Sequence, residues 1–461
     1  MSNPKINIED LFNLPGAVIY NPDSFKPTSS VSTDTRNITE GSIFIALKGK
    51  KFDAHNFIRT AVDKGAVAVL INKNKLKDFD DIDCTIVTVD DTTLAYGQLA
   101  AEWRKKLKAK VIAITGSNGK TTTKEILAQI LSNKNSVQKT LANNNNHIGV
   151  PLTLFSCNNS HKYLILELGT NHFGEIACTA KIAKPDYSLI TNIGEGHLEF
   201  FKNKNGVAKE KAALFTETIK YGGKVFVNMD DTLLKAKAKK LKNKITFGFE
   251  AKTIVKGKLL SISDEGLPLV QVKKGKIEFK AEINLPGTSN AKNFLAAAAI
   301  LLELGIAPAE IKKCAAKLTP VDKRMNIIKY PSFTLINDTY NANPVSMKSA
   351  IEFLNTFDKK LKRIAILGDM FELGDKAVQA HQQLASEIKR NRIDEVYTIG
   401  KLMKNLSESI KDKKVVNKYF TGKEKLTGFI AEKDFSNSVV LIKGSRGMKM
   451  EELIKAFEGK I

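Results

Sequence analysis

Val111-Ile112-Ala113-Ile114-Thr115-Gly116-Ser117-Asn118-Gly119-Lys120-Thr121-Thr122-Thr123 is the stretch that decides the fold. The apolar run Val111 to Ile114 predicts a buried strand, and Gly116 to Gly119 a tight turn. After Lys120, the residues Ile126, Leu127, Ile130 and Leu131 recur at helical spacing. A strand, a glycine turn and a helix start suit a phosphate. Glycines let backbone N–H groups close on an anion, and the helix adds the positive end of its dipole. Lys120 is placed to reach terminal phosphates, and the Thr121 hydroxyl to hold Mg²⁺. The general phosphate-loop pattern calls for a glycine where Ile114 stands, so the glycine portion is short. An ordinary strand–turn–helix connection is the plainer alternative.

The surrounding chain is long enough for several domains, at 461 residues. Its hydrophobic share of 43% and charged share of 26% are those of a soluble globular protein. No apolar run is long enough to span a bilayer, and Met1 to Lys5 opens no signal-peptide segment. Cys84, Cys157, Cys178 and Cys314 are scattered, which favours a reducing, cytoplasmic setting over a disulfide framework or a zinc site. The net charge of +23 invites a nucleic-acid reading. The lysines spread along the whole chain with few interleaved aromatics, so a basic solvated surface that attracts anionic substrates is the better account.

Before the loop, Val31 to Leu47 reads as strand, turn, strand, and Lys48 to Phe57 as a polar loop. Ile58 starts a helix, Ala66 to Ile71 is a buried strand, and Ala95 to Lys106 is a helix. After it, Asn143 to Asn146 offer amide donors and acceptors, either as a capping loop or as contacts to phosphate or acceptor. Tyr163 to Gly169 is a buried strand that carries Glu167 near its end, the edge where open parallel sheets bind ligands. Glu167 is therefore a Mg²⁺ candidate, since a buried unpaired carboxylate is costly. The strand from Tyr187 leads to Glu195 and His197. Mg²⁺ prefers oxygen, so His197 is open between ligand and structural roles. Lys209 and Lys211 lie on a helix and look like a solvated face. Residues 251 to 285 alternate in short runs, a β-rich section. Asn290 and Asn293 share one helix face, as caps or as readers of an adenine edge. From Pro320 the strand–helix rhythm restarts without a G-x-G-x-x-G, which predicts a Rossmann-like parallel sheet that binds no dinucleotide.

Taken in order, these motifs resemble those of the Mur ligases, which build the peptide stem of peptidoglycan. The carriers are Thr115 to Thr122, Asn145 to Pro151, Glu167-Leu168-Gly169 and Thr191 to Glu199. Later come Asp338-Thr339-Tyr340-Asn341-Ala342-Asn343-Pro344, Leu367 to Gly374 with His381, and Lys443-Gly444-Ser445-Arg446-Gly447-Met448. That family's loop has the short glycine form, so Ile114 ceases to be a departure.

The resemblance implies an α/β protein of three domains. Residues 1–105 would hold the uridine nucleotide, 106–319 would form a parallel-sheet ATPase domain, and 320–461 a Rossmann-like domain. It implies an ATP-dependent ligase that joins D-alanyl-D-alanine to UDP-N-acetylmuramoyl-tripeptide in the cytoplasm, acting as a monomer without nucleic acid. By motif position, Gly116, Asn118, Gly119, Lys120, Thr121 and Thr122 would bind ATP phosphates. Asn290 and Asn293 would lie by the adenine, Arg324 on a phosphate and Asp338 on the ribose. Thr121, Glu167 and His197 would serve two Mg²⁺ ions. Lys211 matches a lysine carbamylated in the family, which reverses its surface reading. Thr35, Arg36, Gly49, Asp53 and His55 fall in uridine-side motifs, and Asn145, Asn146, Tyr340, Asn341 and Asn343 would meet the other substrates. Ser289 and Ala54 depart from residues common in relatives. A sister enzyme adding another stem residue, or glutamate to folate, would share the loop but differ in Asn341 to Pro344. A nucleotide switch would make no amide, and a non-catalytic homologue would lack Lys120, Glu167 or Lys211.

Overall fold

The structure, a computed structural model, describes residues 4–28, 30–196 and 198–458. Its contacts divide the chain into two compact units. One comprises the chain up to Thr115 with Leu131–Leu189 and Ala213–Val225, and the other Gly116–Ile130, Ile190–Ala212 and Phe226 onward. Among the described residues the strands form three sheets, as an α/β protein of three layered parts requires.

In the first unit, β1 (Val18–Tyr20), β2 (Ser30–Ser32), β3 (Ser42–Ile45), β4 (Ala66–Asn72) and β5 (Thr85–Val89) make one sheet in the order β1-β5-β4-β3-β2. β1 is antiparallel to β5, and the other pairs are parallel. One of its faces packs Phe44, Ile58, Val69, Ile71 and Ile86 together. The strand expected to reach Arg36 stops at Ser32. Asp34 accepts from the Arg36 backbone N–H, 2.9 Å, and winds Thr35–Asn37 into a 3₁₀ turn, a local bond that competes with strand pairing. The helix expected from Ala95 starts at Thr92, where the Asp91 carboxylate caps two N–H groups.

The same unit holds β6 (Lys110–Thr115), β7 (Val137–Lys139) and β8 (Tyr163–Glu167), in parallel pairs with β8 in the middle. All of β8 and all of β6 after Lys110 are buried. Continuous apolar runs of this kind belong to strands covered on both faces. β9 (Tyr187–Ile190) and β10 (Lys224–Asn228) follow in the chain.

In the second unit, β11 (Lys244–Gly248) pairs parallel with β12 (Val255–Ile262). β12, β13 (Pro268–Lys274) and β14 (Ile277–Glu282) then form antiparallel hairpins, the β-rich section expected from the alternation. The third sheet contains β15 (Asn326–Lys329), β16 (Phe333–Asp338), β17 (Lys362–Gly368), β18 (Glu395–Ile399), β19 (Val416–Phe420) and β20 (Ser438–Lys443), ordered β15-β16-β20-β17-β18-β19. Only β15 runs antiparallel to its neighbour. Separate apolar clusters cover the two faces, one around Met347, Ile351 and Leu384, the other around Phe435, Leu453 and Phe457. The order changes direction where β20 lies between β16 and β17, and that is where open sheets of this type bind ligands. Asp338 and Lys443 end those strands. The last helix expected over Met450 to Phe457 is a 3₁₀ stretch, Met450–Ile454, followed by Lys455–Glu458.

Candidate functional site

The loop Gly116 to Gly119 leads into a helix, Lys120–Leu131. Two of its positions demand glycine for steric reasons. A Cβ on Gly116 would lie 1.9 Å from the Thr191 hydroxyl, and one on Gly119 2.2 Å from Asn293 Oδ1; Gly119 also has a φ of +79°. The sequence reading gave the phosphate to the whole loop. The structure is more selective. The backbone N–H groups of Ser117 and Asn118 donate to Asn192, each at 3.0 Å, and the Asn118 carbonyl accepts from Thr191 and Asn192. Asn192 and Thr191 thus brace the loop, a role not visible in the sequence. The first turn of the helix follows directly, and the N–H groups of a first turn have no acceptor within their own helix. The Lys120 ammonium folds back onto the Gly116 carbonyl, 2.7 Å.

Residues far along the chain come to this loop within the same unit. The Arg324 guanidinium donates to the Thr121 hydroxyl at 3.1 Å. It lies on the Tyr340 ring, 3.9 Å from the centroid, and the Arg446 guanidinium is 4.8 Å from the same centroid. Asn343 donates to Asn118 Oδ1 at 2.7 Å. Asn343 also caps the helix Pro344–Phe353 through the Ser346 N–H. Two buried donors, Asn118 Nδ2 and Arg324 Nε, have no acceptor among the described residues. Orphaned donors are expensive in a folded protein, and a bound anion with several oxygens is what such a pair fits.

Asn290 and Asn293 sit inside the helix Thr288–Glu303, not at its cap. Asn290 donates to the Pro286 carbonyl at 2.7 Å and accepts from Asn293 at 3.2 Å, which aims Asn293 Oδ1 at Gly119. Asp338 is buried. It accepts from the Met325 N–H at 3.2 Å and from the Lys443 ammonium at 2.5 Å. Lys443 also donates to the Asn341 carbonyl, 2.9 Å. Lys443 had no role in the sequence reading. Its signal was a basic residue ending a strand. Lys211 is buried, at 3% exposure, where a solvated face would be exposed. His197 lies outside the described residues.

In the other unit Glu167 ends β8, buried, and accepts from Asn145 Nδ2 at 3.0 Å. Asn146 accepts from the N–H groups of Ile148 and Gly149, so its side chain is a helix cap. Nearer the N-terminus, the Asn72 N–H donates to His55 Nε2 at 3.0 Å. The ring proton is therefore on Nδ1, facing Asp53 at 2.5 Å. Burial pushes the Asp53 carboxyl up, but the hydrogen bonds from His55 outweigh it and hold it below the usual value. Both residues line a cavity of about 400 Å³ with Lys48, Asn72, Lys75 and Asp90. Thr35, Arg36 and Gly49 are not among its lining. The Arg36 guanidinium clasps Asp34 at 2.6 Å and holds that carboxyl down at about 2.

A glycine turn opening a helix, braced asparagines and an arginine on the helix's first hydroxyl define a nucleotide-binding α/β protein. Comparison with known proteins narrows this class. Residues 27–104 match the Mur ligase family catalytic domain, 114–301 the Mur ligase middle domain, and 323–446 the Mur ligase glutamate ligase domain. The chain belongs to the Mur ligase family. It is 35% identical to the UDP-N-acetylmuramoyl-tripeptide–D-alanyl-D-alanine ligase of Bacillus subtilis over 92% of each chain. It is also 35% identical to the enzyme of that name from Escherichia coli over 93% of each. Among solved structures it superposes on MurF of Acinetobacter baumannii with a TM-score of 0.88, at 30% identity over 99% of each chain. MurF ligase of Thermotoga maritima in complex with ADP gives 0.83, at 29% identity over 94% of this chain and 97% of that one.

Proposed function

We propose that this chain is the ATP-dependent ligase that joins D-alanyl-D-alanine to UDP-N-acetylmuramoyl-tripeptide, forming an amide, ADP and phosphate. The observation that carries the reading is the pair of orphaned donors, Asn118 Nδ2 and Arg324 Nε, at a loop onto which the motif residues Arg324 and Asn343 bond. The tripeptide's terminal carboxylate attacks the γ-phosphate and releases ADP, giving an acyl phosphate. The dipeptide amine, having lost its proton, attacks the acyl carbon. The tetrahedral intermediate then expels phosphate. Negative charge grows on oxygen in both steps. Lys120, Arg324 and the first-turn N–H groups are the chain's means of meeting it.

Thr121 and Glu167 offer the hard oxygen donors that Mg²⁺ takes, and by motif His197 and a carbamate on Lys211 complete a set for two ions. Bound Mg²⁺ would supply Lewis-acid neutralisation of phosphate charge. Burial of Lys211 is consistent with a side chain that serves the site rather than the solvated surface. By the same reading Asp338 serves the ribose, Asn290 and Asn293 the adenine, and Asp53 and His55 the uridine side. The division at 1–105, 106–319 and 320–461, a monomeric state and a cytoplasmic location belong to it as well. No helix among the described residues is long and apolar enough to cross a membrane.

The deciding experiment mixes ATP with the UDP-tripeptide and a panel of amines, and scores products by mass. A D-alanyl-D-alanine adduct made in step with phosphate release is expected. Vigorous ATP hydrolysis without the UDP-tripeptide would sink the ligase reading. Intact mass in bicarbonate, with Lys211→Ala as control, reads the carbamate directly.

A further inference from the structure

The dipeptide has an amine that attacks at one end, a carboxylate at the other, and two methyl groups between. A site selective for it must hold that carboxylate away from the reacting carbon. The cations near the ends of β16 and β20 are mostly committed. Lys443 is buried on Asp338, Lys323 pairs with Glu451 at 3.0 Å, and Arg324 bonds Thr121. Arg446 differs. It stands in the turn that follows β20 and is exposed, and among the described residues the nearby Glu451, whose charge it feels, is paired with Lys323 instead.

Its position is nonetheless fixed. The Arg446 N–H donates to Asn341 Oδ1 at 3.4 Å. The neighbouring Ser445 hydroxyl accepts from the Phe371 N–H at 2.9 Å and donates to the Ala342 carbonyl at 3.3 Å. Tyr340 fixes the scale of the site. Its ring centroid is 3.9 Å from the Arg324 guanidinium carbon and 4.8 Å from that of Arg446. The two guanidiniums are therefore no farther apart than the sum of those distances. An extended dipeptide spans about 7 Å, so a carboxylate on Arg446 leaves the amine beside the phosphate that Arg324 attracts. Next to Arg446, a Cβ on Gly447 would come within 3.0 Å of the exposed Phe371 ring, which gives a methyl group an apolar surface.

We propose that Arg446 receives the terminal carboxylate of the incoming dipeptide and so sets both its selection and its direction. The inference rests on the ligase reading above, and it specifies where that amine substrate is held. A guanidinium suits the task, since its planar fork meets a carboxylate with two parallel hydrogen bonds.

The test compares D-alanyl-D-alanine with its C-terminal carboxamide in the wild-type enzyme, Arg446→Ala and Arg446→Lys. The wild type should favour the acid through KM by about tenfold to a hundredfold, the range of a charge-assisted hydrogen bond. Arg446→Ala should raise KM for the acid by the same factor, leave use of the carboxamide and KM for ATP unchanged, and abolish the preference. Arg446→Lys should recover part of it. Equal use of acid and amide by the wild type, or an equal loss of both in Arg446→Ala, overturns the proposal. The second outcome would reduce Arg446 to a support for Tyr340. Failure of the wild type to make an amide from either dipeptide would instead overturn the ligase reading, and this inference with it.

Discussion

Arg324 donates a hydrogen bond to the Thr121 hydroxyl at 3.1 Å while its guanidinium carbon lies 3.9 Å from the centroid of the Tyr340 ring. These contacts join the helix Lys120–Leu131 to two separate points in the last third of the chain. A guanidinium held in this way is pre-organised, so it meets a phosphate without first losing its rotamer freedom.

Removal of Arg324 should therefore damage turnover more than folding. Arg324→Ala is expected to lower kcat by about a hundredfold or more, the scale of a lost transition-state donor. Arg324→Lys should recover little, because an ammonium has neither the fork nor the stacking plane. Tyr340→Phe keeps the ring and should stay near wild type, whereas Tyr340→Leu should lose about tenfold. Equal activity in Tyr340→Leu and Tyr340→Phe would show that the stacking does not matter.

Gly119 tests the loop itself. Gly119→Ala places a Cβ against Asn293 Oδ1 at a φ where L-residues are strained. Strain of about 1–3 kcal/mol is expected, together with loss of nucleotide binding. Adding Asn293→Ala removes the collision but not the backbone strain. Stability, measured by denaturant unfolding, should therefore return only in part, while ADP affinity stays low because the double variant also lacks the proposed adenine-side amide. Full recovery of stability would mean that φ carries no cost here.

The strand–turn–helix was legible because a run of buried apolar residues and two obligatory glycines are local facts. The parallel sheet of the last third followed from the strand–helix rhythm, and the three-domain plan from the family resemblance. What the sequence hid is pairing across distance. Nothing near Ser117 or Asn118 says that Asn192 takes their N–H groups. Nothing near Asp338 says that Lys443 is its partner. Asn146 and Asn145 look alike in sequence, yet one caps a helix and the other holds Glu167. Lys211 looked solvated on its helix and is buried, a difference that tertiary packing alone decides.

Asp34 gives a prediction in pH. Its hydrogen bonds from Arg36 lower the folded carboxyl to about 2, against roughly 3.9 in an unfolded chain. Because the folded value is the lower one, the stabilisation is complete above the unfolded value and is lost as pH falls towards the folded one. The pair is exposed and salt screens it, so the effect on global stability should be small. Carboxyl titration by NMR should give a midpoint near the lowered value at low salt, moving up with added salt or in Arg36→Ala. An unshifted midpoint would mean that the pair does not persist in solution.

Asp338 and Lys443 separate folding from chemistry. Lys443 has 2% of its side chain exposed and Asp338 12%. Asp338→Asn leaves a buried ammonium without its counter-charge and should destabilise the protein by about 3–5 kcal/mol. The double variant Asp338→Asn with Lys443→Met removes the unpaired charge and should regain much of that loss in denaturant unfolding. A ribose contact makes a different demand, since it needs the carboxylate whatever Lys443 is. ADP affinity should therefore stay low in the double variant even where stability has returned. If affinity returns with stability, Asp338 acts only by holding β16 to β20, and the ribose is bound elsewhere.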